Sequence, residues 1–274
     1  MKICCYELQY HLEVCGEGYP LLVLHGFTGD SSTWMPFCKN WGGHSTLLIP
    51  DLVGHGRTES PKDLIRYRIE SAARDLKDML EQMKIQQIDV LGYSMGGRLA
   101  LTFAILYPGM VRKLILESAS PGLRTEEERE QRRMKDGELA EFIAQQGIPA
   151  FVDYWEVIPL FESMKHLPFN VKEKIRNQRL RNSPIGLANS LRGMGTGSQP
   201  SWWEQLSVLS CEVLLVTGEK DEKFGRIAES MLSLLNNAHW SRVEEVGHAI
   251  HVENKEKFGT IVSDFLSPKP INKK

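Results

Sequence analysis

The chain has 274 residues, with 33 Lys+Arg against 35 Asp+Glu and a formal charge of −2. That balance argues against the strongly basic footprint of a whole-protein nucleic-acid binder, while 42% hydrophobic and 25% charged residues supply an ordinary globular core. The length suits one α/β domain with a large insertion as well as two domains, and no apolar run approaches the ~18 residues of a membrane span.

In chain order, strand-like runs occupy residues 3–8, 10–14, 21–24, 46–49, 88–91, 113–116, 213–217 and 240–246. The middle runs are continuously apolar rather than alternating, as for strands covered on both faces. Helix-length segments at 68–84, 96–107, 227–236 and 254–266 fall between or after them. Strands alternating with helices predict βαβ units, here a mostly parallel eight-stranded α/β sheet flanked by helices. From 122 to 206 no strand pattern exists, only helices with breaks at Gly147, Pro149, Pro159, Pro168, Pro184 and the 193–200 region. The expected organisation is therefore a core of residues 1–121 and 207–267, a helical cap of 122–206 inserted in it, and a flexible tail of 268–274. The first residues lack the apolar stretch of a signal peptide. Cys4, Cys5, Cys15, Cys38 and Cys211 form no C-x-x-C pair and have no histidine at zinc spacing. Reduced thiols in the cytoplasm and no cysteine metal site are the expectation.

Gly92-Tyr93-Ser94-Met95-Gly96 follows one strand and opens a helix. A G-x-S-x-G in that context lifts the serine out of the sheet on a turn too tight for a Cβ on either side. It also sets Ser94 at a helix N-terminus, where backbone N–H groups favour developing negative charge. A serine needs an imidazole to take its proton and a carboxylate to fix that imidazole. Asp221, just past the 213–217 strand, and His248, just past the last strand, stand in the order this elbow requires. Glu219 and His251 are their rivals. Leu24-His25-Gly26-Phe27-Thr28-Gly29 can aim the Phe27 N–H at the same centre, forming an oxyanion hole with the Met95 N–H. His25 itself reads as structural, as does the Asp51–His55 turn.

The H-G-F-T-G, D-x-x-G-H-G, G-Y-S-M-G-G and G-x-x-D…G-H series resembles the α/β-hydrolase-fold superfamily over essentially the whole chain. Ser118-Ala-Ser-Pro-Gly-Leu123, Met194-Gly-Thr-Gly-Ser-Gln-Pro200 with Trp202-Trp203, and Gly218-Glu-Lys-Asp-Glu-Lys-Phe224 narrow the likeness. They resemble the 2-succinyl-6-hydroxy-2,4-cyclohexadiene-1-carboxylate synthase family of menaquinone biosynthesis. The resemblance implies a lyase that removes a proton α to a carboxyl group and expels pyruvate without hydrolysis; no metal or organic-cofactor motif occurs, so none is expected. A substrate with several carboxylates calls for arginines, and Arg98, one turn into an apolar helix, can lean back toward Ser94. By the resemblance, Arg132 and Arg179 match the family's cap arginines, with Arg176 and Arg181 as rivals to the second. Trp155 and Tyr93 match its pocket aromatics, and the position of Lys223, close after Asp221, makes it a further residue expected to face the substrate. Residues 122–162 carry five Lys/Arg against ten Asp/Glu, whereas 163–203 carry seven against Glu173 alone. A basic half-lid would attract a polyanion. The expected partner is thus a small polycarboxylate, with no nucleic acid and no stable membrane insertion. A serine hydrolase of small esters or carbon–carbon bonds, and a non-catalytic small-molecule sensor, are the alternatives.

Overall fold

In the computed structural model, which describes residues 1–267, eight strands form one sheet. In chain order the elements begin β1 (Lys2–Cys5), β2 (Leu8–Cys15), β3 (Tyr19–Leu24), α1 (Cys38–Trp41), β4 (Ser45–Pro50), α2 (Ile69–Gln82) and β5 (Ile88–Tyr93). They continue α3 (Met95–Leu106), β6 (Val111–Glu117), α4 (Glu126–Trp155), α5 (Phe169–Leu180), α6 (Pro184–Met194) and β7 (Glu212–Gly218). The chain closes with α7 (Glu222–Leu232), β8 (Ala238–Val243), α8 (Ile250–Glu253) and α9 (Lys255–Leu266). The strand order is β1-β2-β4-β3-β5-β6-β7-β8. β2 runs antiparallel to β1 and β4, and every other pair is parallel.

The apolar strand runs follow from burial on both faces. Leu22, Leu24, Val90 and Leu114 point into one core with α2 and α3, while Leu21, Val23, Leu91 and Ile115 point into a second with Trp34, Trp41 and Phe258 of α9. Successive side chains alternate faces, so two apolar faces make an unbroken apolar run. The expected strand at 3–8 divides at a turn in which Tyr6 and Glu7 take positive φ, giving β1 and the start of β2. The expected helix at 227–236 begins earlier, at Glu222, because Asp221 caps it by accepting the Phe224 N–H (3.3 Å).

Between β6 and β7 lie only helices and turns. α4 opens on a capping box, Thr125 with Glu128, and is interrupted at Gly147, whose φ of 78° leaves the helical region. Pro184 occupies the first turn of α6, where its missing N–H costs nothing. Among the described residues no helix is long and apolar enough to cross a membrane. The expected tail of 268–274 lies outside the described residues.

One expectation is corrected here. Cys15 at the end of β2 and Cys38 at the start of α1 form a disulfide, so the reduced-thiol reading holds only for Cys4, Cys5 and Cys211. The two half-cystines are 23 residues apart, and only the folded chain brings their Cα atoms to 5.9 Å, within bridging range.

Candidate active site

The elbow sits at the carboxyl end of β5. Ser94 takes φ 51° and ψ −107°, a strained backbone held because its N–H donates to the Glu117 carbonyl of neighbouring β6 (2.9 Å). A Cβ on Gly92 would run into the Gly96 carbonyl, and one on Gly96 into the Leu24 carbonyl. These contacts are the physical reason for both flanking glycines.

The loops after β7 and β8 bring Asp221 and His248 to this serine. His248 Nδ1 donates to Asp221 Oδ2 (2.6 Å), and Ser94 Oγ donates to His248 Nε2 (3.1 Å). The carboxylate only accepts, so it fixes the tautomer that leaves Nε2 free to receive the serine proton. His248 and Asp221 are 2% and 8% exposed. Glu253, absent from the sequence reading, holds this loop on both sides, accepting from the Gly247 N–H (2.8 Å) and the Ala249 N–H (3.2 Å). The rival His251 points elsewhere: its Nδ1 and backbone N–H both meet the buried Glu117 carboxylate at 2.9–3.0 Å. The rival Glu219 accepts instead from the Glu245 N–H (3.1 Å).

Ser94 and His248 open into a cavity of about 180 Å³. Phe27, Met95, Arg98, Tyr93, Trp155 and Lys223 all line it, as does Arg132. Met95 is the first residue of α3, so its N–H is among those a helix leaves without an intrahelical partner. Arg98 donates through Nη1 to the Met194 carbonyl (2.7 Å) and to Gln199. Among the described residues it makes no ion pair, and burial, then the neighbouring charge of Arg132, brings its pKa down to about 10. Lys223, at the rim, is held below the ordinary lysine range by partial burial and then by Arg132. Arg132 is paired through Nε with Asp136 (2.7 Å). Among the described residues the cavity is thus lined by three cations, Arg98, Arg132 and Lys223, with the Asp136 carboxylate beside Arg132, and the Trp155 indole N–H is buried without a partner.

Arg179 is not brought to this cavity. It lines an adjoining one, with Phe161, Tyr93 and Phe27 as shared wall, and its guanidinium lies 5.0 Å from the Phe161 ring. Its rivals are engaged elsewhere, Arg176 with Asp153 and Glu156 and Arg181 with Asp30. The two charge blocks of residues 122–203 largely meet each other, for Arg192 also pairs with Glu141 across α6 and α4. The basic stretch is therefore not a free half-lid; the cations at the cavity come from Arg98, Arg132 and Lys223. Phe161 and Phe224, which pack their rings 6.3 and 4.6 Å from His248, carried no signal in the sequence because nothing local marks a ring that reaches a distant loop.

Two histidines beside the Phe27 loop are held in structural hydrogen bonds. His25 Nε2 accepts the Leu52 N–H (2.9 Å) and Nδ1 donates to the Gly26 carbonyl (2.8 Å), so the ring is neutral and burial lowers its pKa. Burial, reinforced by His25, brings His55 down to about 3. Both folded values lie below the unfolded one, so the unfolded chain binds these protons first and stability falls as pH drops through about 6.5. Below about pH 6.5 His55 is expected to cost stability at a rate approaching about 1.4 kcal/mol per pH unit, with His25 adding in the same direction. Urea unfolding of a His55→Leu variant checks this: a pH slope as steep as that of the parent chain would refute it.

Comparison with known proteins places this geometry. The α/β hydrolase fold family matches residues 19–255. A Bacillus subtilis (strain 168) protein, provisionally carrying the name 2-succinyl-6-hydroxy-2,4-cyclohexadiene-1-carboxylate synthase, is 46% identical over 90% of this chain and 90% of its own. The Salmonella paratyphi C (strain RKS4594) protein of that name is 31% identical over 86% of this chain and 90% of its own. The solved structure of MenH from S. aureus superimposes with a TM-score of 0.89 at 37% identity, covering 94% of this chain and 97% of that one.

Proposed function

The chain belongs to the α/β-hydrolase fold family and, within it, to the 2-succinyl-6-hydroxy-2,4-cyclohexadiene-1-carboxylate synthases, and from that membership we propose how its residues carry out the reaction. The enzyme is a lyase of menaquinone biosynthesis. It converts 2-succinyl-5-enolpyruvyl-6-hydroxy-3-cyclohexene-1-carboxylate to the 2,4-diene with loss of pyruvate. Comparing the two compounds places the lost proton on ring carbon 2, α to the succinyl ketone rather than to a carboxyl group. Ser94, as its proton passes to His248 Nε2, takes that ring proton; Asp221 stabilises the imidazolium. The charge that develops on the ketone oxygen falls to the Phe27 and Met95 N–H groups. The electron pair then moves through the ring, forming the new double bond as the carbon–oxygen bond to the enolpyruvyl group breaks. The ring proton has already restored the Ser94 hydroxyl, so the proton held on His248 passes to the departing enolpyruvate, which becomes pyruvate, and no acyl-enzyme forms.

The observation that carries this reading is the triad opening onto a small cavity lined by three cations, one of which, Arg98, makes no ion pair among the described residues. A neutral ester gives such a guanidinium nothing to pair with, whereas a tricarboxylate does. Arg98, Arg132 and Lys223 would hold the carboxylates, with Tyr93 and Trp155 against the ring and Arg179 reached from the adjoining cavity. The partner is this small polycarboxylate, neither nucleic acid nor membrane. We place the enzyme in the cytoplasm on its three free thiols, with the Cys15–Cys38 bridge as the exception that compartment must accommodate. The test is direct: purified protein given the enolpyruvyl substrate releases pyruvate, and Arg98→Ala loses about 10²-fold in kcat/KM, chiefly through KM. Rapid turnover of p-nitrophenyl esters without pyruvate would establish a serine hydrolase instead, and tight binding without turnover a sensor.

A further inference from the structure

The segment Met194-Gly195-Thr196-Gly197-Ser198-Gln199 contributes nothing to the triad, yet it touches the supports of both cavity arginines. On one side Arg98 Nη1 donates to the Met194 carbonyl and to Gln199 Oε1. Gln199 is 1% exposed, and its own Nε2 donates to the Pro200 carbonyl (3.4 Å), which turns the amide oxygen toward Arg98. On the other side, Gly195 leaves space for Asp136: a Cβ there would lie 2.5 Å from Asp136 Oδ2. Asp136, 3% exposed, takes the Arg132 Nε at 2.7 Å. Arg133, on the same helix as Asp136, donates to the Gly197 carbonyl (3.0 Å) and fastens the segment to α4.

A guanidinium has five N–H donors in a rigid plane. Arg98 spends one nitrogen on neutral acceptors, so its orientation is set while, among the described residues, no carboxylate pairs with it directly and Asp136 acts on it only at longer range. Arg132 spends Nε on Asp136, which leaves its two terminal amino groups as an end-on fork of the kind that binds a carboxylate in bidentate fashion. We propose that residues 194–199 and Asp136 form a clasp that aims Arg98 and Arg132 at two carboxylates of the substrate, with Gln199 and Asp136 as its positioning residues. The proposal deepens the polycarboxylate reading above and rests on it. It accounts for a glutamine at 199: a glutamate there would orient Arg98 equally well but would satisfy its charge from within the protein.

Calorimetric titration of the full chain with propane-1,2,3-tricarboxylate, run beside the pyruvate assay, tests the clasp. Gln199→Glu is expected to weaken tricarboxylate binding at least about tenfold while its melting temperature holds or rises. A purely structural glutamine predicts the opposite, and a folded Gln199→Glu protein that binds within about twofold of the parent overturns the proposal. Asp136→Leu is expected to weaken binding about tenfold, with the loss in turnover falling on KM and kcat within about threefold, and Asp136→Asn, which keeps an acceptor for Nε, to restore most of it. Equal damage from Leu and Asn, or loss confined to kcat, counts against the clasp. If Asp136→Leu does not fold, Gln199→Glu decides alone. A parent chain that binds the tricarboxylate but releases no pyruvate would sink the lyase reading and leave the clasp standing. A parent chain that does not bind it at millimolar concentration overturns the clasp.

Discussion

Ser94→Ala is expected to lower kcat for pyruvate release by about 10³-fold while the melting temperature stays within a few degrees. The hydroxyl is the only group of the elbow within hydrogen-bond reach of His248 Nε2, at 3.1 Å. Removing it deletes the base but leaves the oxyanion N–H groups and the cations that hold the substrate. The loss should therefore fall on kcat, with KM near that of the parent enzyme. Stability is expected to hold because the backbone strain at position 94 is kept by the Glu117 carbonyl and by the glycine contacts, neither of which involves the hydroxyl. A Ser94→Ala enzyme that retains a tenth of the parent kcat would remove the serine from the mechanism and transfer the proton abstraction to His248 acting alone.

Asp221→Asn tests the other end of the triad and is expected to cost about 10³- to 10⁴-fold in kcat. The aspartate accepts the His248 Nδ1–H at 2.6 Å and the Phe224 N–H at 3.3 Å. An asparagine can still cap α7 through its carbonyl oxygen, but it then presents its NH₂ to the imidazole. Nδ1 must accept, the proton moves to Nε2, and the serine loses its acceptor. Near-normal kcat in a folded Asp221→Asn enzyme would show that the tautomer is immaterial and that the chemistry bypasses His248. Both experiments read pyruvate directly, so an esterase side reaction cannot stand in for the result.

Much of the site was legible because its signals are local. The elbow needs glycines at fixed offsets from a serine between an apolar strand and a helix, and all of that lies within residues 88–106. Asp221 and His248 were reachable by position, since each follows a strand of a parallel sheet whose carboxyl edge carries the chemistry. The choice between His248 and His251 was not local. It depends on Glu117, at the end of a different strand, taking the second imidazole. Nor could the charge counts of 122–162 and 163–203 reveal that Arg176 and Arg192 face acids of α4 rather than the cavity.

The cysteines teach the same lesson from the other direction. Spacing offered no pair, and the bridge between Cys15 and Cys38 exists because the end of β2 and the start of α1 meet in the fold. Asp136 and Gln199 were invisible for a related reason. Each acts on an arginine side chain, and nothing in a run of residues tells which buried polar group another will meet.

The sequence by itself thus determined the sheet class, the elbow and the order of the triad, because periodicity and short-range spacing set these. The tertiary structure decided which imidazole faces Ser94, which arginines reach the cavity and which charges cancel one another. Those outcomes depend on side-chain directions summed over contacts between residues tens to hundreds of positions apart, where distance along the chain no longer reports distance in space.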